Sequence, residues 1–491
     1  MTQAQFLLLI IAIIPLVNCL VIRFCDSSIS FANIVSKTSP VFFLAALVGL
    51  YGSVGADGSY LTISQISKGL SFGFGVDGLA INFLFFLDFL WLVFVFYSHR
   101  FLSLGEVKNI NNSKLFFALI IALVNLIIIS KNLLTILFFY NALVILCHFF
   151  AAKFLYKNVE RFSKLFTFLL YFESIFFFLA IVGTYKISGQ IDFVSGGIIL
   201  DDSNPIQHVI LLISYFVGLF LSILFPSYLI YRETKIDPIF AYALFFLAYA
   251  LSSIYILIKL LGFTFGFELF ASIMHKIGFE VFEWIFLINI IIASSFLIFS
   301  KSLKSAFFYL FFQQFIFTLL EIFIFAIFNK AKIGIAFLSF SLSLTLILFS
   351  ISNFILYLNK SEEKEFYGLF YSLKVNTILF IFAGLNMLGV APGVGVVEKF
   401  FLIKILLKKK LVVSAIAFVI NIMSLAIFMW KICYPLFLNP QKTSSQTDIT
   451  LAKNIDFDSN LTLPSFVIAL SLVLLLVFFP LLDLIPNPIF N

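Results

Sequence analysis

The stretch GLNMLGVAPGVGVVEKFFLIK, residues 384–404, is the part of this chain that says most about its architecture. It is apolar enough to lie in a membrane, yet Pro392 stands among four glycines near its middle. Proline removes a backbone hydrogen-bond donor and clashes with the preceding helical turn, so a helix breaks or kinks there. Backbone groups freed at membrane depth are tolerated only where protein or a water-filled cavity satisfies them. The stretch therefore predicts a discontinuous membrane helix beside an internal site.

A second interrupted stretch, GLFLSILFPSYLIY, covers residues 218–231 and contains Pro226. The two breaks lie five apolar segments apart, so the helices that contain them should run in opposite directions through the membrane. Paired broken helices of opposite orientation are the sequence sign of transporters built from inverted repeats. Two ordinary proline kinks would give the same pattern, and the pattern alone does not decide between these interpretations.

The composition of the whole chain places these stretches in a membrane protein. Of 491 residues, 62% are hydrophobic and only 11% are charged, whereas soluble globular chains have about 25% charged residues. Apolar runs recur throughout, so the sequence predicts an all-α, polytopic membrane protein with about fourteen transmembrane helices. The predicted spans begin near Gln5, Thr38, Leu79, Lys114, Asn132, Ser163, Gln207, Pro238, Phe282, Ser305, Lys332, Asn376, Leu411 and Leu463.

The net charge of +7 follows the predicted loops, and it does not indicate nucleic-acid binding. With both termini outside, the inner loops hold the excess of Lys and Arg that membrane topology favours. The densest inner loop is KFLYKNVERFSK, residues 153–164, and the main exception is KKK at residues 408–410. The four cysteines form no CxxC pair, and the histidines have no metal-ligand spacing. We therefore expect neither a metal site nor a disulfide framework.

Four motifs, in their order along residues 70–435, resemble a known family. These are FGVDGLAINF (74–83), YSHRF (97–101), SLKSAFFYLFFQQ (302–314) and GVAPGVGVVEKFFLIK (389–404). They are similar to motifs of the antiporter-like membrane subunits, which include the L-, M- and N-type chains of NADH-quinone oxidoreductase (respiratory complex I) and the D-type chains of Mrp-type Na⁺/H⁺ antiporters. The chain resembles a divergent member of that family.

The resemblance implies two inverted five-helix repeats with broken helices at spans seven and twelve. Residues 1–110 would then hold spans one to three, residues 111–262 the first repeat, and residues 263–436 the second. Residues 437–491 would form an inner loop and the last span. Each repeat is expected to house a proton half-channel.

The resemblance also implies where the chain works and with what. It points to a subunit of a proton- or cation-translocating complex in the cytoplasmic (inner) membrane of a cell, a location favoured over the mitochondrial inner membrane. The expected partners are other membrane subunits of the same complex, the lipid bilayer, and protons or Na⁺, but no nucleic acid. No cofactor motif is present, so the chain would not be an enzyme alone, and any redox chemistry would belong to partner subunits.

In the family, charged side chains in spans five, seven, eight, eleven and twelve carry protons. Here the carboxylate position of the fifth span falls on Asn141, after Tyr140, and an amide does not titrate. The other substituted carrier positions are Ser222, Leu251, Phe337, Ser341 and Thr345. Lys399 alone keeps its charge, with Glu398 adjacent. A buried lysine without its acid is an uncompensated charge, so we infer that the first half-channel was neutralised as a unit.

Five ionisable side chains remain as candidates for a proton path: Lys399, Glu398, Glu173, His148 and Lys304. Lys399 follows the Pro392 break directly, so unwound backbone and water could reach it. Glu173, in FLLYFESIFFF (168–178), is either a substitute acid or a protonated glutamic acid that bonds to a neighbouring helix.

The remaining candidates each have two interpretations. His148 lies two helical turns after Asn141 on the same face, as a relay or an interfacial histidine. Lys304 is expected either to reach the headgroups or to contact a partner subunit. Lys259 should extend to the lipid headgroups, and Glu321 lies deep in the tenth span with no partner that the sequence identifies.

Two functional hypotheses follow from the sequence. In the first, the chain still moves protons or takes part in Na⁺/H⁺ exchange, using Glu173, Lys399 and internal water. In the second, it is a non-conducting structural subunit, or a diverged paralogue, that keeps the fold for assembly of the complex.

Overall fold

The structure is a computed structural model, and it describes a helical bundle with one β-hairpin. The described residues are 2–24, 29–54, 59–67, 70–104, 110–150, 160–199, 205–224, 238–277, 279–300, 302–360, 368–438, 455–456 and 458–482. Pro226 and residues 153–159 of the basic loop lie outside them.

Each predicted span falls on a helix. The first seven are α1 (Gln3–Phe24), α2 (Ile29–Ser53), α3 (Gly78–Leu104), α4 (Ile110–Ile128), α5 (Leu133–Phe150), α6 (Glu160–Ser188) and α7 (Pro205–Phe220). The eighth consists of α8 (Pro238–Ala241), a π-helical segment (Tyr242–Ala250), α9 (Leu251–Lys259) and a second π-helical segment (Leu260–Phe265). A short helix that was not predicted, α10 (Phe267–Ile277), follows.

The second half of the chain continues in the same way. Spans nine to eleven are α11 (Phe279–Phe299), α12 (Leu303–Phe328) and α13 (Ile333–Lys360), the last preceded by a 3₁₀ turn (Lys330–Lys332). After α14 (Leu369–Ser372), the twelfth span consists of α15 (Lys374–Leu388) and α16 (Gly395–Lys409), followed by α17 (Val412–Phe437) and α18 (Ser459–Leu482). Within the described residues, ten helices are long and apolar enough to cross a membrane, and four apolar helices are shorter.

Burial separates a central set of helices from a peripheral set. The eighth span and α12 are buried on nearly all sides, as expected for helices that are apolar all round. Peripheral helices expose large apolar side chains instead, such as Phe42 on α2 and Trp430 on α17. This distribution is the one expected of a bundle whose outer surface faces lipid.

A β-hairpin between α2 and α3 is the one described departure from the all-helical prediction. Strands β1 (Ser59–Ser67) and β2 (Leu70–Val76) pair antiparallel. The amide of Asn132, at the start of α5, donates to the Ser71 carbonyl at 2.7 Å and to Asp192 Oδ1 at 2.9 Å. The hairpin therefore covers the polar end of α5, a long-range contact that apolar periodicity does not reveal.

The prediction that Lys259 extends to the headgroups is wrong. Its ammonium forms an ion pair with Asp77, and it lies 4.1 Å from the centroid of the Phe263 ring. Asp77 also accepts the Ala80 N–H at 2.9 Å and so caps α3. Because Asp77 stands at the corner between β2 and α3, a half-buried acid lies within reach of Lys259, and the lysine pairs with it inside the protein.

The break in the twelfth span lies where Pro392 predicted it. Helix α15 ends at Leu388, Gly389 follows with φ of 77°, and α16 begins at Gly395. The Asn386 side chain bridges the gap, because its Oδ1 accepts the Gly395 N–H at 2.8 Å. A Cβ on Gly395 would lie 1.9 Å from the Asn386 carbonyl oxygen, so only glycine fits. The seventh span also stops early, since α7 ends at Phe220.

Candidate functional site

A buried cluster of charges lies directly after the break in the twelfth span. The Lys399 ammonium is 2.9 Å from Glu321 Oε1 and 2.5 Å from Glu398 Oε1. It also lies 4.4 Å from the centroid of the Phe317 ring, a distance suited to a cation–π contact. Lys399 is 6% exposed, Glu398 3% and Glu321 0%. The three ionisable side chains form one cluster inside the bundle.

Local structure explains how these groups meet. Because α16 begins only at Gly395, Glu398 stands in its first turn, where the helix dipole favours an acid. A Cβ on Gly389 would lie 2.7 Å from Lys399 Cγ, so this glycine leaves room for the lysine stem. Glu321 comes from α12, one turn after Phe317 on the same face.

The cluster carries two carboxyl groups and one ammonium, so its formal charge is −1 when all three are ionised. A net charge in a low-dielectric interior is costly unless another charge or a proton compensates it. Glu321 Oε2 has no hydrogen-bond partner within the described parts of the chain. The arrangement can therefore hold one further monovalent cation, of which a proton is the smallest, on a carboxylate.

Polar side chains also join the break in the twelfth span to the neighbouring helix α13. The Asn386 amide that bridges the break also donates to the Ser343 hydroxyl at 2.5 Å and to the Ser339 hydroxyl at 3.4 Å. Both serines are buried. The broken helix is thus tied to α13 by hydrogen bonds at the depth where its own backbone ladder is interrupted.

Four of the positions where the resemblance predicts a lost carrier lie in apolar or hydrogen-bonded packing. Leu251 is fully buried at the start of α9, and Phe337 stacks on Phe83 with ring centroids 4.9 Å apart. Ser341 and Thr345 are buried on α13, where the Thr345 hydroxyl donates to the Ser341 carbonyl at 2.7 Å. None of these four side chains titrates near neutral pH, so this region offers no charged relay group in their place.

Glu173 and Ser222, which stand out in the sequence for different reasons, are in contact. Glu173 is fully buried on α6, and its Oε1 accepts the backbone N–H of Ser222 at 2.5 Å. Asn141, where the sequence resemblance places a carboxylate, is half-buried on α5, and its Oδ1 has no hydrogen-bond partner among the described residues. The carboxyl group in this region therefore comes from α6 rather than α5.

The last two candidates lie towards helix ends. His148 is half-buried near the end of α5, with its ring 5.5 Å from that of Phe149. Lys304 is half-buried in the first turn of α12, seventeen residues before Glu321. At 1.5 Å per residue that separation is about 25 Å along the helix, so Lys304 does not belong to the Lys399 cluster.

Glu321 is the site residue that sequence reasoning did not assign. An acid deep in an apolar span is a sign of function by default, but its partner lies 78 positions away on another helix. The signal that could have found the pair is charge balance, because Lys399 and Glu321 stand at comparable depth in two spans of the same predicted repeat.

Comparison with known proteins identifies the fold. No protein-family model matches the sequence, and no curated protein sequence matches it significantly. Among solved structures, a chain of the Mrp complex from Dietzia sp. DQ12-45-1b is similar with a TM-score of 0.75 at 17% identity, covering 99% of this chain and 97% of that one.

Two further structures agree. A chain of respiratory complex I from Thermus thermophilus has a TM-score of 0.68 at 13% identity, covering 96% of this chain and 98% of that one. A chain of the membrane-bound sulfane sulfur reductase, an archaeal respiratory membrane complex, has a TM-score of 0.68 at 13% identity, covering 99% of this chain and 96% of that one. The predicted fold is confirmed: the chain has the polytopic fold of antiporter-like membrane subunits.

Proposed function

We propose that this chain is an integral membrane subunit of a proton- or cation-translocating complex of the Mrp or complex I type, and that the Lys399 cluster is its charge-transfer centre. The observation that carries the proposal is the buried cluster of the ionisable side chains Lys399, Glu321 and Glu398 at the helix break. Three charges buried together are costly to maintain, and membrane proteins keep such groups where they relay charge.

The cluster suits proton transfer because its groups can exchange a proton without moving the backbone. A proton bound to Glu321 or Glu398 leaves the ammonium paired with the other carboxylate, so the charge of the whole cluster becomes zero. Loss of that proton returns the formal charge to −1. The break between α15 and α16 supports access, since backbone groups freed at this depth need protein or water as partners.

The proposal extends to the setting of the chain. The similar solved structures are chains of multi-subunit membrane complexes, which supports partner subunits that share the cytoplasmic membrane with this chain. Any oxidation of NADH or reduction of quinone would take place on those partners, and this subunit would couple to it through charge movement.

A structural, non-conducting subunit is the second candidate function. The packing at the carrier positions favours it, because Phe337 also contacts Phe86 with ring centroids 5.2 Å apart and closes the space where the family has a carrier. The packing of α13 therefore does not support a chain of charged side chains that would join two half-channels. Under this alternative the Lys399 cluster would serve assembly or helix packing only.

Proton flux through the reconstituted complex separates the two candidates. We expect the double variant Lys399→Met/Glu321→Gln, which keeps the formal charge of −1, to assemble and to lose flux by about 100-fold, the lower end of what a positioned acid–base group contributes. Lys431→Met is a matched control, since this lysine donates to the Ile298 carbonyl at the end of α11 instead. Unchanged flux in the double variant, with assembly intact, would establish the structural role.

A further inference from the structure

The end of α7 shows an unusual hydrogen-bond pattern. Beyond Phe220 the chain still bonds to the helix, because Leu221 N–H donates to the Val217 carbonyl at 3.3 Å and Ile223 N–H to the Phe220 carbonyl at 3.0 Å. Ser222 differs, since its N–H donates to Glu173 Oε1 at 2.5 Å. A carboxyl group from α6 therefore accepts the backbone N–H of Ser222, two residues beyond the end of α7.

Close packing of α6 against α7 makes this contact possible. A Cβ on Gly218 would lie 2.7 Å from the Phe177 backbone nitrogen, so the two helices touch at a glycine. Glu173 stands one turn before Phe177, and Ser222 stands one turn after Gly218. Because Phe177 meets Gly218 and Glu173 meets Ser222, the two helices run antiparallel at this contact.

The electrostatic setting leaves Glu173 open to protonation. Its side chain is fully buried, and Oε2 has no hydrogen-bond partner among the residues described. From α5 the Tyr140 phenol lies within electrostatic range, and from α7 the facing group is Ser222. In the described chain no lysine, arginine or histidine forms an ion pair with Glu173. Burial disfavours the ionised form while the N–H donor favours it, so the two effects oppose each other.

We propose that Glu173 is the proton-binding group of the first predicted repeat, in place of the carboxylate that Asn141 lacks, and that its protonation acts on the end of α7. This inference rests on the proposed function. The proton binds at Oε2, the oxygen that has no partner among the described residues, and Oε1 keeps the Ser222 N–H. A hydrogen bond to an ionised acceptor is about twice as strong as one to a neutral acceptor. Proton uptake therefore loosens the Ser222 contact, and proton release tightens it.

The test compares Glu173→Gln with the wild-type chain in its assembled complex. Glutamine keeps an oxygen that accepts the Ser222 N–H, but it cannot bind a proton. Infrared difference spectra between acid and alkaline pH should contain a protonated-carboxyl band that is missing in Glu173→Gln. Glu283→Gln is the matched control, because Glu283 is a buried acid on α11 that accepts a hydrogen bond from Ser414. We also expect Glu173→Gln, and not the control, to lower proton flux by about 100-fold.

The outcomes separate this inference from the proposed function. Loss of the titrating band together with loss of flux in Glu173→Gln supports it. A spectrum identical to the wild type, or wild-type flux in Glu173→Gln while Lys399→Met/Glu321→Gln is inactive, overturns it and leaves Glu173 as a structural cap of α7. If Lys399→Met/Glu321→Gln conducts like the wild type, the proposed function fails, and the infrared titration still decides whether Glu173 binds a proton.

Discussion

Single and double substitutions in the Lys399 cluster should have unequal and non-additive effects on stability. Lys399→Met keeps the apolar stem of the side chain but leaves two carboxyl groups, with a formal charge of −2. Glu321→Gln leaves Lys399 paired with Glu398, with a formal charge of zero. The double variant has a formal charge of −1, like the wild type. Lys399→Met, which has the largest formal charge, should therefore be the least stable of the four chains, even though the double variant removes more contacts.

The magnitudes come from the burial of the groups. Removing one partner of a buried ion pair costs about 3–5 kcal/mol. A stranded carboxylate can escape that penalty by binding a proton, which costs about 3.7 kcal/mol at pH 7 for an ordinary glutamate pKa of about 4.3. Glu321→Gln keeps an oxygen acceptor for Lys399 and should cost only about 1.5 kcal/mol, the value of one hydrogen bond to a charged group.

The predicted result is therefore that a second substitution restores stability lost through the first. Adding Glu321→Gln to Lys399→Met removes one of the two stranded carboxylates, so the double variant should be more stable than Lys399→Met alone. Midpoints of thermal unfolding of the four purified complexes at one pH complete the cycle. The reasoning is refuted if Glu321→Gln lowers the midpoint further in the Lys399→Met background, or if the two single variants are equally destabilised.

Three other predictions concern different parts of the bundle. Asn141→Glu should lower stability by several kcal/mol because it buries an unpaired acid, and adding Ser222→Lys should restore part of that stability. The yield of assembled complex measures both effects, and equal yields for the single and double variants would contradict the prediction. Gly218→Ala forces a Cβ against the Phe177 backbone and should lower the free energy of unfolding by about 1–3 kcal/mol. The unfolding midpoint should fall accordingly, and a wild-type midpoint would argue against close α6–α7 packing. Burial raises the pKa of Asp456 despite N–H donors at the start of α15, so its contribution to stability should decline as pH rises above about 4. Asp456→Asn should flatten this pH dependence of the unfolding midpoint. An unchanged dependence would show that Asp456 is not its source.

The sign of the Asp456 effect follows from proton binding. A carboxyl whose pKa is higher in the folded than in the unfolded chain binds protons more tightly when folded. Acid therefore favours the folded state through this group, and the advantage disappears as pH rises through the folded-state pKa. Two backbone N–H groups, of Val375 and Asn376, donate to the Asp456 carboxylate and limit the shift.

The two halves of the chain keep acids in different places. In the second predicted repeat Glu321 and Glu398 contact Lys399, while in the first Glu173 accepts a hydrogen bond from a backbone N–H. The contact at position 222 is made by the backbone, so it requires no charged side chain there.

The positions of the helices and of the helix break could be predicted from the sequence, because they depend on the length and composition of local segments. Each apolar run long enough to cross a bilayer became a helix, because bilayer thickness sets that length and backbone groups in lipid must bond internally. The twelfth span breaks at Pro392 as predicted, because the missing N–H of proline interrupts a helix whatever its tertiary surroundings. The absence of a titratable group at Asn141 was equally plain.

Pairings between helices depended on tertiary structure. Glu321 with Lys399, Lys259 with Asp77, and Glu173 with Ser222 each join positions far apart in the chain. In an apolar helix most faces look alike, so composition does not show which face turns inward or which neighbour it meets. That choice is made by packing, as where Gly218 lets α7 approach α6, and a buried charge gains its role only from the partner that packing supplies.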